Sequence, residues 1–162
     1  MKTWQLLYVE DNEDDLFLLK HAFQHAEAEV QISHAPDSQA AIKYLIGDGE
    51  YEDRSRFPMP ELVLLDINMP GMDGLDLLAW IRSQPVLMAL RVLIYSSSSK
   101  EQDIARAHRL GANAYVVKPT SLPERLLLAR AIKKYCSDPN WSGSDLPLFS
   151  PEQGAWAREV LA

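Results

Sequence analysis

A chain of 162 residues, 47% hydrophobic and 24% charged, has the size and composition of one soluble globular domain with enough apolar chain for a real core. Its formal charge of −7 argues against nonspecific nucleic-acid binding and against an anionic membrane surface, and is compatible with a divalent cation. The lone cysteine, Cys136, excludes an internal disulfide framework and a cysteine metal cluster, and no apolar run is long enough to span a bilayer.

The chain enters a strand-like run directly, with no signal-peptide pattern, so a cytoplasmic location is expected. Gln5-Leu6-Leu7-Tyr8-Val9 is the first strand, and it ends in Glu10-Asp11-Asn12. Glu13, Asp14 and Asp15 open a helix to about Ala26, with Leu16, Leu19, Phe23 and Ala26 on one face. Acids at a helix N-terminus are favourable there, which accounts for Glu13, Asp14 and Asp15 but not for Glu10 and Asp11. Val30 to His34 reads as a second strand, and Asp37 or Ser38 caps a helix carrying Ala40, Ala41, Tyr44 and Leu45. The polar stretch from Gly47 to Pro60 reads as a long surface loop and a poor place for a core.

Leu62-Val63-Leu64-Leu65 is a run without alternation, as expected of a strand buried on both faces. It stops at Asp66, and Pro70, Gly71 and Gly74 then turn the chain into a helix from Leu75 to about Arg82. Leu75, Leu78 and Ile81 form its core side, which leaves Trp80 near the exposed side, either lying over a loop or facing a partner. Val92 to Tyr95 is the fourth strand, ending in four serines from Ser96, before a helix to about Leu110 with Gly111 at its C-terminal cap. Ala114 to Val117 is the fifth strand, followed by Lys118-Pro119 and a helix from about Pro123 to Tyr135. Strands alternating with helices five times call for a parallel sheet covered on both faces.

The strand ends share a theme. Glu10, Asp11 and Asp66 are acids, Ser96 is a hydroxyl and Lys118 a cation. A parallel sheet puts all its carboxyl ends on one edge, so these side chains can share a site. Three close carboxylates need a cation between them, most simply Mg²⁺. A carboxylate beside Mg²⁺ and lysine can attack phosphorus and become an acyl phosphate, with Ser96 and backbone N–H groups near Ser97, at a helix start, donating to the phosphoryl oxygens.

With these motifs in place, the chain resembles the receiver domain of bacterial two-component response regulators. The acid pair Glu10-Asp11, the turn Asp66-Ile67-Asn68-Met69-Pro70 with Asp73-Gly74, Ser96-Ser97 and Lys118-Pro119 carry the likeness, over about Leu6 to Lys134. The resemblance implies a flavodoxin-like, doubly wound five-stranded sheet in the order 2-1-3-4-5, with Asp66 as phosphoacceptor. It implies Mg²⁺ bound by Asp11, Asp66 and the Asn68 carbonyl, with Glu10 acting through metal-bound water, Lys118 as the phosphate-sensing lysine, and a cis Lys118–Pro119 bond. Tyr115 matches the family's aromatic switch residue, which rotates into space vacated when Ser96 moves toward the phosphoryl group. The long Gly47–Pro60 loop and the wording around Ser96 narrow the likeness to single-domain regulators that accompany bacterial phytochromes. The implied partner is a sensor histidine kinase, and a bacteriophytochrome in that narrower reading.

Residues 1–136 form the expected receiver, and 137–162 a C-terminal extension of linker plus a short helix with Trp156, Val160 and Leu161 on its apolar side. The extension is too short and not basic enough for a helix-turn-helix output module, so signal is expected to leave by protein contact, without nucleic acid or membrane. The fifth helix carries an apolar arc of Leu126, Leu127, Leu128, Ala129, Ala131, Ile132, Tyr135 and Cys136, wider than one core stripe. A homodimer is the favoured explanation, and cover by Trp141, Leu148, Phe149 and Trp156 the other. The four histidines, His21, His25, His34 and His108, show no metal spacing and read as surface or helix residues.

The favoured function is a non-enzymatic phosphoacceptor with slow autodephosphorylation. A haloacid-dehalogenase-like phosphatase needs a second aspartate where Asn68 stands. A pseudo-receiver, a binding module that is never phosphorylated, usually lacks one of the residues present here.

Overall fold

The computed structural model describes residues 3–27 and 29–138. Five strands alternate with five helices: β1 Trp4–Val9, α1 Glu13–His25, β2 Val30–Ala35, α2 Ser38–Ile46, β3 Leu62–Leu65, α3 Gly74–Ser83, β4 Arg91–Ser96, α4 Glu101–Arg109, β5 Ala114–Val117 and α5 Leu122–Cys136. All pairings are parallel, and the sheet order is β2-β1-β3-β4-β5. The expected flavodoxin-like order is therefore met.

The unbroken apolar runs of β1, β3 and β4 follow from the two cores they feed. Leu6, Tyr8, Leu62, Leu64 and Leu93 point into one core, against Leu19 and Phe23 of α1 and Leu128 and Ile132 of α5. Leu7, Val9, Val63, Leu65 and Ile94 point into the other, against α2 and α3. Side chains alternate across a strand, so a strand covered on both sides needs apolar residues at every position.

Helix ends follow local chemistry. The Asn12 side chain caps α1 by accepting from the N–H groups of Asp14 and Asp15, and Asp37, not Ser38, caps α2 through the Ala40 N–H. Ser38 is buried and donates to the Met72 carbonyl instead. Gly111, at φ 94°, closes α4, and its N–H donates to His108 O while that of Ala112 donates to Ala107 O. This is the left-handed cap expected of a glycine there.

Three sequence expectations change. The segment between α2 and β3 is more than a polar loop: Tyr51 and Phe57 pack on Tyr44 with ring centroids 5.2 and 6.0 Å away, and Arg54 bonds Tyr44 O and Leu45 O at the end of α2. Aromatics spaced through polar sequence have no period, so their convergence is invisible to pattern reading. The helix after β4 starts at Glu101, so Ser97 lies in a loop and not at a helix start. No described peptide bond is cis, Lys118–Pro119 included. X–Pro bonds favour trans by about 0.5–1 kcal/mol, and Lys118 reaches the site from the trans form.

Trp80 is half-buried against the second core. On α5, Leu126 and Leu127 are partly buried against the first core, which absorbs part of its wide arc, while Leu122 stays exposed. The side chains of Tyr135 and Cys136, the predicted terminal helix and Trp141, Leu148, Phe149 and Trp156 lie outside the described residues.

Candidate functional site

The carboxyl edge of the sheet brings the strand-end residues together. Glu10 leaves β1 as a nearly fully buried acid. Its Oε1 accepts from the Asn12 N–H at 3.1 Å, and its Oε2 from the Tyr8 hydroxyl at 3.2 Å. Asp66 is also buried, and its Oδ1 accepts from the Asn68 N–H at 3.1 Å. That bond comes from the Asp66–Gly74 turn. The turn closes so tightly that a Cβ on Gly74 would lie 2.1 Å from the Asp66 carbonyl oxygen, so only glycine fits.

Lys118 is the hub. Its ammonium donates to Glu10 at 2.6 Å, to Asp15 at 2.9 Å and to Asp66 at 3.2 Å. Burial alone would lower the lysine's pKa. The hydrogen bond to Glu10, the charge of Asp66 and the bond to Asp15 outweigh burial and hold the pKa above its ordinary value. Burial pushes the Glu10 carboxyl up to about 7; the Lys118 bond opposes the rise and Asp66 adds to it.

Ser96 is fully buried at the end of β4, and its Oγ accepts from the Ser98 N–H at 3.2 Å and from Asn68 Nδ2 at 3.4 Å. Tyr115 is buried beside it, with its hydroxyl donating to the Ser98 carbonyl at 2.8 Å. Burial raises its phenol pKa, against the hydrogen bonds at Ser98 and Ser96. The ring thus sits inward, next to the hydroxyl it is predicted to follow.

One carboxylate oxygen each from Glu10, Asp11 and Asp66 lies within 4.8 Å of the other two. The set is all oxygen and all anionic, which fits a hard divalent ion such as Mg²⁺ and not a soft one. Asp11 is the exposed member, so the cluster opens to solvent.

Two contacts escaped the sequence reading. Asp15, read as helix-terminal charge, reaches Lys118. His34, read as surface, places Nε2 2.6 Å from the Glu10 carbonyl oxygen. His34 sits near the carboxyl end of β2, opposite Tyr8, so the signal that picked out the other strand ends was also present there. Asp15 offered no such signal, because an acid in the first turn of a helix is ordinary.

Residues 6–130 match the family model of the response regulator receiver domain. The chain belongs to that family. It is 30% identical over 130 residues to response regulator Rcp1 of Synechocystis sp., covering 80% of this chain and 86% of Rcp1. The Mn²⁺-bound form of Rcp1 superposes with a TM-score of 0.72 at 28% identity, over 91% of this chain and 99% of that one. The phosphorylated cyanobacterial phytochrome response regulator RcpA gives a TM-score of 0.75 at 29% identity, over 90% and 98%. The bacteriophytochrome response regulator AtBRR gives 0.68 at 33% identity, over 83% and 94%. The receiver is thus similar to regulators associated with phytochromes, and receivers of two-component systems are in general phosphoacceptors and not turnover enzymes. No helix among the described residues is long and apolar enough to cross a membrane.

Proposed function

We propose that this receiver takes a phosphoryl group from a phosphohistidine of a sensor kinase onto Asp66. The observation that carries the reading is the seating of the Asp66 carboxylate: one oxygen is held by the Asn68 N–H at 3.1 Å and the other lies 3.2 Å from the Lys118 ammonium. An Asp66 oxygen attacks phosphorus, the P–N bond breaks, and the histidine nitrogen keeps the electron pair. The product is an acyl phosphate. Glu10, Asp11, Asp66 and Asn68 would hold Mg²⁺, which would supply neutralisation of the phosphoryl oxygens. Lys118 stands where it can pair with one of those oxygens, and Ser96 is the hydroxyl that can move to another.

Movement of Ser96 toward the phosphoryl group opens space beside Tyr115, whose ring already lies inward, and its repacking there couples the phosphoryl charge to the α4–β5–α5 surface. Slow hydrolysis of the acyl phosphate resets the site. Similarity to phytochrome regulators supports a kinase partner of the phytochrome class, acting in the cytoplasm. The extension at 137–162 and a homodimer through α5, where Leu122 is exposed, complete the reading.

The test is intact mass after incubation with Mg²⁺ and acetyl phosphate. One phosphoryl adduct that needs Mg²⁺ and disappears in Asp66→Asn is the expected result. A folded protein that forms no adduct would make this a pseudo-receiver.

A further inference from the structure

We propose that Asp15 is the exchangeable partner of Lys118: it holds the ammonium beside Asp66 at rest and yields it when a phosphoryl group arrives. Asp15 would then set how readily the phosphorylated state forms. The inference rests on Asp66 being the phosphoacceptor.

A lysine ammonium has three donors. Here its contacts with Glu10, Asp15 and Asp66 use all three. A phosphoryl group on Asp66 brings new acceptor oxygens and charge of roughly −1.5 to −2 to this spot. Lys118 can turn the donor held by Asp66 to one of them, and can bond a second only by releasing Glu10 or Asp15.

The partners differ in what release costs. The Glu10 side chain is 1% exposed, so losing the lysine would strand a buried anion. Asp66 is the residue being modified. The Asp15 side chain is 33% exposed, so water can take the lysine's place. Its backbone N–H is held by the Asn12 cap at 3.2 Å, which keeps the carboxylate within reach of Lys118 through the exchange. Asp15 touches the lysine and not the phosphoacceptor in this structure, so it is a positioning residue. The bland alternative is that Asp15 only adds charge at the start of α1, as exposed Glu13 in the same turn does.

The experiment is calorimetric titration of the full chain with beryllium fluoride, a phosphoryl mimic, at Mg²⁺ saturating for each variant. Thermal melting serves as the fold control. Asp15→Asn is expected to bind about fivefold tighter than wild type, the scale of one partly exposed ion pair. Asp15→Glu should return close to wild type, and Glu13→Gln should change little. If Asp15→Asn fails to fold, Asp15→Ser takes its place with the same expected gain.

Equal or weaker binding by Asp15→Asn would overturn the proposal while leaving Asp66 as acceptor. So would an equal gain in Glu13→Gln, which would show a bulk charge effect. A folded wild type that binds no beryllium fluoride would remove the phosphoacceptor reading and this inference with it.

Discussion

The two edges of the sheet each hold a long cation among hydrogen bonds, and they use it differently. At the carboxyl edge, Lys118 faces anions: Glu10, Asp15 and Asp66. At the amino edge, Arg82 faces neutral acceptors, namely the carbonyls of Gly111, Met88 and Leu90 and the Asn113 side chain. A rigid guanidinium fork on fixed carbonyls is a staple, joining α3 to the segments that lead into β4 and β5. A rotatable ammonium among carboxylates can trade one partner for another. Burial lowers the pKa of Arg82, whereas the acids hold that of Lys118 up. Substitutions at the amino edge should therefore cost stability and spare phosphorylation, and those at the carboxyl edge should do the reverse.

Gly74 should break this division most strongly. A Cβ there would overlap the Asp66 backbone oxygen at 2.1 Å, and backbone cannot step aside cheaply. Gly74→Ala is expected to cost about 3 kcal/mol and to impair phosphorylation as well, because it distorts the turn that holds Asp66. Denaturant midpoints and the acetyl phosphate mass assay read the two effects. Second in size is the metal. Mg²⁺ at 100 times its dissociation constant should stabilise the wild type by about 2.7 kcal/mol. In Asp11→Asn the thermal shift at the same Mg²⁺ concentration should be much smaller, since one of three converging carboxylates is gone. An undiminished shift would place the ion elsewhere.

The carboxyl edge was far more legible in the sequence than the amino edge, for a physical reason. Strand-end chemistry is written as an abrupt change, from the apolar run Leu62–Leu65 to Asp66, or from Val117 to Lys118, and a parallel sheet then gathers those ends automatically. The order β2-β1-β3-β4-β5 itself came from family resemblance, since alternation alone gives only a parallel sheet. Staples leave no such mark. Arg82 sits in the last turn of α3, where a cation is ordinary, and its acceptors are main-chain carbonyls that carry no residue identity. Asp15 was hidden in the same way among three acids that a helix start already explains. Tyr115 was identified by position, but its inward pose depends on the Ser98 carbonyl, which only the fold supplies.

Arg82→Lys sharpens the comparison from the other side. One ammonium cannot reproduce the fork over Gly111, Leu90 and Asn113, so part-buried acceptors lose their donor. A loss of about 2 kcal/mol is expected, with the phosphoryl adduct forming at the wild-type rate. A slowed adduct would show that the edges communicate through α3.

The smallest effect is expected at Arg54. Its guanidinium bonds Tyr44 O at 2.8 Å, Leu45 O at 3.1 Å and Phe57 O at 3.2 Å, so it caps the carbonyl end of α2 and ties the following segment to it. It also lies over the Tyr44 ring, 6.0 Å from the centroid. The α2 carbonyls already have partial help, because Gly47 and Asp48 donate back to Tyr44 O and Lys43 O. The site is also part-exposed, so water can replace some of what the arginine gives. Arg54→Ala should therefore cost only about 1 kcal/mol in denaturant unfolding. Hydrogen exchange should quicken in the 47–60 segment, where Tyr51 and Phe57 lose the clamp beside them, and not at Asp66 or Lys118. Faster exchange reaching β3 would mean that this aromatic cluster supports the strand that ends at Asp66, and that the division between the two edges does not extend to this part of the fold.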